Sequence, residues 1–159
     1  MSKDDLINNL IKLSEGKLFL LKQLLTLTGQ QSKNIGSEHA EKLDDIIKQK
    51  QGIITRIDVL DKEFVEKYDL LKKGVVTETL EGLQPDEKEK MKILQSRIAD
   101  IYSLTEKIQK IDVANVEKLK KNLQSVQNEL KKVRIGKKVV KGYSNKNTEG
   151  VSIFLDKKQ

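Results

Sequence analysis

Apolar residues recur every three, four or seven positions through most of this chain, and no other feature constrains its fold as strongly. The first series is Leu6, Leu10, Leu13, Leu20, Leu24 and Leu27. This spacing places an apolar stripe along one side of an α-helix, and such a stripe has to be buried against another element. The chain contains one proline, which leaves long stretches free for helices. We therefore expect an all-α protein.

Breaks in the apolar rhythm divide the chain into three long helices. The first is expected over about 4–28, with glycine at position 29 supplying its end and 29–36 forming the turn. The second is expected over about 37–73, with Ser37 as its N-cap. The third should begin at Pro85, because proline suits the first position of a helix.

The rhythm of the third helix slips near Asp112 to Asn115 and then resumes. A stutter would leave one long helix, whereas a break would give four helices instead of three, and the spacing does not decide between them. Short loops make consecutive helices antiparallel neighbours, so we expect an elongated antiparallel bundle, or coiled-coil hairpin. Because the first helix is the shortest, parts of the second and third should project beyond it as a two-helix hairpin.

The positive charge of the chain is concentrated at one end. Residues 131–159 hold nine Lys or Arg and two Asp or Glu, so this stretch carries the whole formal charge of +7. It also departs from the apolar rhythm: residues 136–143 read GKKVVKGY and residues 150–158 read GVSIFLDKK, with a polar linker between them. We assign 1–135 to the helical bundle and 136–159 to a basic, partly flexible tail.

Several classes of function are disfavoured by what the sequence lacks. It has no cysteine and one histidine, His39, and it shows no cluster of ligands at metal-binding spacing. We therefore expect no enzymatic activity, no metal and no cofactor. The polar N-terminus is unlike a signal peptide, and no apolar run approaches the ~20 residues that span a bilayer. These observations predict a cytoplasmic protein without stable membrane insertion.

The basic tail has several interpretations. It could be a solvated terminus, or a weak anchor for an anionic membrane surface. Nucleic-acid binding is disfavoured, because the body is neutral and the tail has two aromatic residues where base stacking usually needs more. The remaining interpretation is a protein partner whose helix covers an interrupted apolar stripe, formed by Leu130, Val133, Val139, Val140 and Tyr143.

The two tail segments resemble the C-terminus of flagellar export chaperones of the FlgN type. In that family a basic apolar turn ends in Tyr, and a short hydrophobic stretch then closes in Asp-Lys-Lys. The upstream order is similar as well, with a leucine-rich first helix, further long helices, and an Ile-Asp-x-x-Asn segment at 111–115. The resemblance implies a type III secretion chaperone that binds hook-associated subunits of the hook–filament junction. It would prevent their premature assembly and deliver them to the export apparatus.

The resemblance also implies which residues bind the partner, because the C-terminal segment engages the exported subunit in that family. On this chain the candidates are seven apolar or aromatic residues with three flanking lysines: Leu130, Val133, Val139, Val140, Tyr143, Ile153 and Phe154, with Lys137, Lys138 and Lys141. We expect a monomer or a weak homo-oligomer. The main alternative from another class is a structural coiled-coil oligomer whose tail only solubilises it.

Overall fold

The structure, a computed structural model, describes residues 2–36, 38, 40–76 and 83–137. It contains three helices: α1 (Lys3–Asn34), α2 (Ala40–Val76) and α3 (Pro85–Lys137). No strand occurs within these residues. The prediction of an all-α fold built from three long helices is therefore confirmed.

The starts of α1 and α3 lie close to where the sequence places them. The backbone N–H of Asp5 donates to the hydroxyl of Ser2 at 3.1 Å, so Ser2 caps α1. Pro85 opens α3, and Asp86 and Glu87 follow in its first turn. Acidic side chains in a first turn are stabilised by the positive end of the helix dipole.

The prediction that α1 ends at Gly29 is wrong, because α1 continues to Asn34. Gly29 lies inside the helix, where glycine costs about 1 kcal/mol relative to alanine. A tertiary contact holds the next turn in the helix, where the buried Gln31 accepts a hydrogen bond from Lys50 of α2. The chain turns instead near Gly36, whose φ of 81° lies in the left-handed region that favours glycine.

α2 begins and ends three residues later than predicted, at Ala40 instead of Ser37 and at Val76 instead of Lys73. The later start follows from the longer α1, which takes up part of the expected turn. The later end means that Gly74 does not terminate the helix. A Cβ on Gly74 would lie 3.7 Å from Lys3 Cε, so this glycine packs beside the start of α1.

α3 is one continuous helix of 53 residues, about 80 Å long at ~1.5 Å per residue. The slip in its apolar rhythm is therefore not a break, and the chain has no fourth helix within the described residues. Asn115 is buried and donates to the carbonyl oxygen of Thr28, and Asp112 accepts from Lys50. The slip marks a layer of polar contacts with the other two helices.

The core consists of two apolar clusters along α1. The first joins Leu6, Ile7 and Leu10 of α1 to one buried leucine on each of α2 and α3, Leu71 and Leu94. The second joins residues 20, 21 and 24 of α1 to Ile57 and Ile108. α1 packs closely along both of its neighbours, whereas within the described residues the backbones of α2 and α3 hardly approach each other. α1 is thus the shared partner of the bundle.

Polar contacts fix the direction of each helix. Lys17 pairs with Asp61 at 2.7 Å, and Gln31, later in α1, pairs with Lys50, earlier in α2. α2 therefore runs antiparallel to α1. Lys90 pairs with Asp4, and Lys118 Nζ donates to the Ser32 carbonyl oxygen at 3.3 Å, so α3 runs parallel to α1. The topology is up-down-up.

The end of α3 projects beyond the other two helices. Asn122 lies beside Gly36 at the turn after α1, with its Nδ2 3.0 Å from where a Cβ would stand. Lys50, ten residues into α2, bonds to Asp112, which places the start of α2 near the same level. Residues 123–137, here called the α3 extension, therefore reach about 20 Å further. The two-helix projection expected from the sequence is a single helix.

Candidate functional site

The α3 extension carries an apolar stripe that continues the pattern of the bundle without a helix of the bundle opposite it. Val126, Leu130 and Val133 are spaced by four and three residues, so they share one side of the helix. Leu130 is half-buried, and Val133 keeps 43% of its surface exposed. An apolar helix face normally packs against another element, so this stripe is suited to receive one.

Basic residues flank the stripe. Lys131, Lys132 and Arg134 are exposed on the extension, and Lys137 is the last residue of α3. Long basic side chains can lay their methylene groups along a neighbouring apolar surface while the charge stays in water. The extension therefore combines an apolar stripe with a positive field, an arrangement that attracts and holds an amphipathic, acidic helix.

The structure places part of the predicted binding set. Leu130 and Val133 lie on the same stripe of the extension, as expected from their spacing. Lys137 lies in α3, with its side chain outside the described part. The other seven predicted residues lie outside the described residues, and their role stays a prediction: Lys138, Val139, Val140, Lys141, Tyr143, Ile153 and Phe154.

A buried polar layer lies in the bundle just before the extension. The Nζ of Lys50 donates to Gln31 Oε1 and to Asp112 Oδ1, both at 2.9 Å, which links all three helices. Asn115 Nδ2 donates to the Thr28 carbonyl oxygen at 3.3 Å. In the sequence, Lys50 interrupts an apolar series that includes Ile46, Ile53 and Ile57. That interruption was the available signal, but it did not name the partners.

Two polar atoms of this layer, Gln31 Nε2 and Asn115 Oδ1, are buried without a protein partner. Both side chains are fully enclosed. Buried polar contacts of this kind penalise helix pairings in other registers, because a slip would leave more of these groups unpaired. The layer therefore fixes how far α3 extends beyond α1 and α2.

A second feature, not predicted from the sequence, is a groove of about 430 Å³ between α2 and α3, here called the α2–α3 groove. Leu13, Ser14 and Lys17 of α1 contribute to its lining. Its walls carry four apolar or aromatic side chains of α2 and α3: Leu60, Phe64, Ile98 and Ile101. Tyr68 of α2 and Tyr102 of α3 also line the groove, as do Asp61 and Thr105. The rings of Phe64 and Tyr68 stack with centroids 6.1 Å apart.

Two further features bear on the kind of site that the bundle offers. In the part of the chain that the structure describes, no three His, Asp or Glu side chains are grouped as a metal ion would require. Among the same residues, no helix is long and apolar enough to cross a membrane. What the described surface does offer is a helical extension and a groove, both suited to other helices.

The sequence comparison decides the family. The family model described as FlgN protein matches residues 1–149. The chain belongs to the FlgN family. FlgN proteins are flagellar export chaperones, not enzymes, so the predicted resemblance to this family is confirmed. The FlgN match covers all three helices and the GKKVVKGY segment. No curated protein matches the chain significantly, and no solved structure does.

Proposed function

We propose that this FlgN-family chaperone acts in the cytoplasm and binds hook-associated subunits of the hook–filament junction. Binding uses the α3 extension and the basic segment that follows it. The chaperone prevents premature assembly of these subunits and delivers them to the flagellar type III export apparatus. The observation that supports this proposal most directly is the apolar stripe of the extension, which lies beyond Asn122, the residue of α3 beside the turn after α1.

The physical reason lies in what an unassembled subunit exposes. Subunits that assemble through amphipathic terminal helices expose apolar stripes until they meet their neighbours. A helix that presents its own uncovered stripe can bury such a surface by side-to-side packing. Val126, Leu130 and Val133 supply that stripe. Full burial of an exposed apolar side chain contributes about 1.5–3 kcal/mol of transfer free energy, and covering Val126 or Val133, which are 45% and 43% exposed, contributes less than half of that.

Charge adds selectivity and speed to this contact. The bundle is close to neutral, and the net charge of +7 belongs to residues 131–159. A localised positive field accelerates the encounter with acidic partners and orients them toward the charged end. The partner helix is therefore expected to be acidic on the side that faces Lys131, Lys132 and Arg134.

A pair of matched valine substitutions tests the site. Val133→Asp places a charge in the stripe, and we expect it to weaken binding of a purified hook-associated subunit at least about tenfold in calorimetry. Val113→Asp is the control, because Val113 is also exposed on α3, at 65%, but lies outside the extension. Both variants should keep the helicity of the parent in circular dichroism.

The tail is tested in the same way. We expect a chain ending at Lys137 to lose subunit capture, and Val140→Asp combined with Tyr143→Ala to do the same, with unchanged helicity. Equal binding by Val133→Asp, the shortened chain and the parent would reject the proposal. In that case a large mass in sedimentation, unchanged by shortening, would identify a structural coiled-coil oligomer instead.

A further inference from the structure

We propose that the α2–α3 groove is a second docking site, which receives an amphipathic helix of the same exported subunit that the α3 extension binds. The inference rests on the proposed function and extends it from one contact to two. The groove lies within the bundle, and the extension begins about 20 residues further along α3 than the lining residues Tyr102 and Thr105. The two surfaces are therefore separate.

The packing of the bundle leaves one side open. α1 packs along both α2 and α3, but the backbones of α2 and α3 hardly approach each other in the described part of the chain. Three helices arranged in this way form three members of a four-helix bundle, and none of the described helices takes the fourth position, between α2 and α3. A helix laid in that position would contact α2 and α3 over the floor that α1 provides.

The size and lining of the groove suit apolar side chains on one side of a helix. Its volume of about 430 Å³ lies within the range of 300–1,000 Å³ that is usual for binding sites. Leu13 and Leu60 contribute to its apolar surface from α1 and α2, and Ile98 and Ile101 contribute from α3. Side chains at positions i, i+3 or i+4, and i+7 of a docked helix would fill it.

Aromatic residues are concentrated here. The chain has six Phe and Tyr residues and no Trp, and Phe64, Tyr68 and Tyr102 all line this one groove. Tyr102 keeps 73% of its surface exposed although it borders an apolar cavity. Exposed tyrosine is enriched where proteins contact each other, because its ring packs while its hydroxyl stays hydrogen-bonded.

The charge of the groove favours an uncharged helix face over an anionic ligand. Lys17 and Asp61 are the charged side chains of the described lining, and they neutralise each other across a distance of 2.7 Å. The hydroxyl of Ser14 donates to the Leu10 carbonyl oxygen and is therefore satisfied within α1. Neither a nucleic acid nor a free phosphate would find an uncompensated positive charge in this lining.

The tail of the same chain is a poorer occupant. Lys137 lies 36 residues beyond Ile101 on α3, a distance of about 54 Å along the helix axis. At about 3.4 Å per residue, the apolar Ile153 reaches the middle of the groove only if all of residues 138–152 are stretched to full extension. Such stretching is costly in conformational entropy, and the neutral lining offers no compensating attraction for the lysines of the tail.

The test uses a charge substitution at the exposed wall of the groove. We expect Tyr102→Lys to weaken binding of a purified hook-associated subunit about tenfold in calorimetry, while circular dichroism stays unchanged because Tyr102 is exposed. Phe19→Lys is the matched control. Phe19 is an aromatic residue of α1 with 61% of its surface exposed, and it lies outside the groove lining. Its substitution should leave binding unchanged.

The same experiment separates this inference from the proposed function. If Val133→Asp weakens binding and Tyr102→Lys does not, the groove is not a docking site and the proposed function stands. If the parent chain binds no hook-associated subunit, both are overturned. If Tyr102→Lys lowers the mass of the free chain in sedimentation, a second copy covers the groove and the inference is wrong. Supporting results are a tenfold loss with Tyr102→Lys and a further loss when Val133→Asp is added.

Discussion

At the scale of single residues, the glycines show how one residue type serves opposite purposes in this molecule. Gly29 and Gly52 lie inside helices, and a Cβ added to either would meet nothing within 4 Å. Gly36 lies in a turn with φ at 81°, and a Cβ there would stand 3.0 Å from Asn122 Nδ2. The first two glycines weaken their helices, whereas the third permits the turn.

Alanine substitutions at these sites should therefore change stability in opposite directions. We expect Gly52→Ala to raise the free energy of unfolding by about 0.5–1 kcal/mol, because alanine loses less backbone entropy in a helix. Gly36→Ala should lower it by about 1 kcal/mol or more, because alanine avoids positive φ. Urea unfolding followed by circular dichroism at 222 nm measures both. A loss of stability with Gly52→Ala would show that its open position is covered in solution.

At the scale of helices, the polar layer around Lys50 joins α1, α2 and α3 at one level. Lys50 is buried, whereas the side chain of Asp112 is 38% exposed, so water reaches part of this ion pair. The contact with Gln31 lies deeper and contributes through the cost of leaving a buried group unpaired. The layer contributes mainly by selecting one register for the helix pairing, and it contributes less to the overall stability.

Replacing Lys50 removes the cation of this layer and should reveal the cost of leaving the buried Gln31 side chain unpaired. We expect Lys50→Met to lower the free energy of unfolding by about 1–3 kcal/mol, because Gln31 Oε1 loses its donor. Combining it with Gln31→Leu should recover part of the loss, since the orphaned amide is then removed. A double-mutant cycle in urea measures this coupling. Strict additivity of the two substitutions would show that the 2.9 Å contact carries no energy in solution.

The sequence predicted the helices, but it did not predict all of their ends or how they pack against one another. Apolar spacing and the Pro85 signal depend on neighbouring residues, so the all-α fold, the order of the long helices and the start of α3 were predicted correctly, whereas the spacing does not decide between three and four helices. The end of α1 was missed because Gln31 and Lys50 hold it from 19 residues apart. The open side of the bundle was missed for the same reason, since the separation of α2 and α3 depends on how both pack on α1. That Leu130 and Val133 share one side of α3 could be predicted because their spacing is local, and their role in binding stays a prediction.

At the scale of the whole molecule, α1 belongs to every part of the core. It contributes to both apolar clusters, and α2 and α3 have little direct contact within the described residues. A bundle in which two helices are held together by a third cannot lose that third helix and keep its shape. The molecule should therefore unfold as one cooperative unit.

A leucine pair tests this expectation. Leu10→Ala removes a fully buried side chain of α1, and we expect a loss of about 2–5 kcal/mol with a single thermal transition. Leu70→Ala on α2 is the control, because Leu70 is 54% exposed, and it should change stability by less than about 0.5 kcal/mol. Calorimetry that resolves two transitions in the Leu10→Ala variant would show that the helices unfold separately.

The central place of α1 also has a consequence for synthesis on the ribosome. Its second cluster includes Ile108, which is translated 74 residues after Asn34, the last residue of the helix. At about 5–20 residues per second, the nascent α1 waits on the order of 4–15 s for its last partner. During that interval the nascent chain exposes the apolar face of α1 and can associate nonspecifically with other proteins.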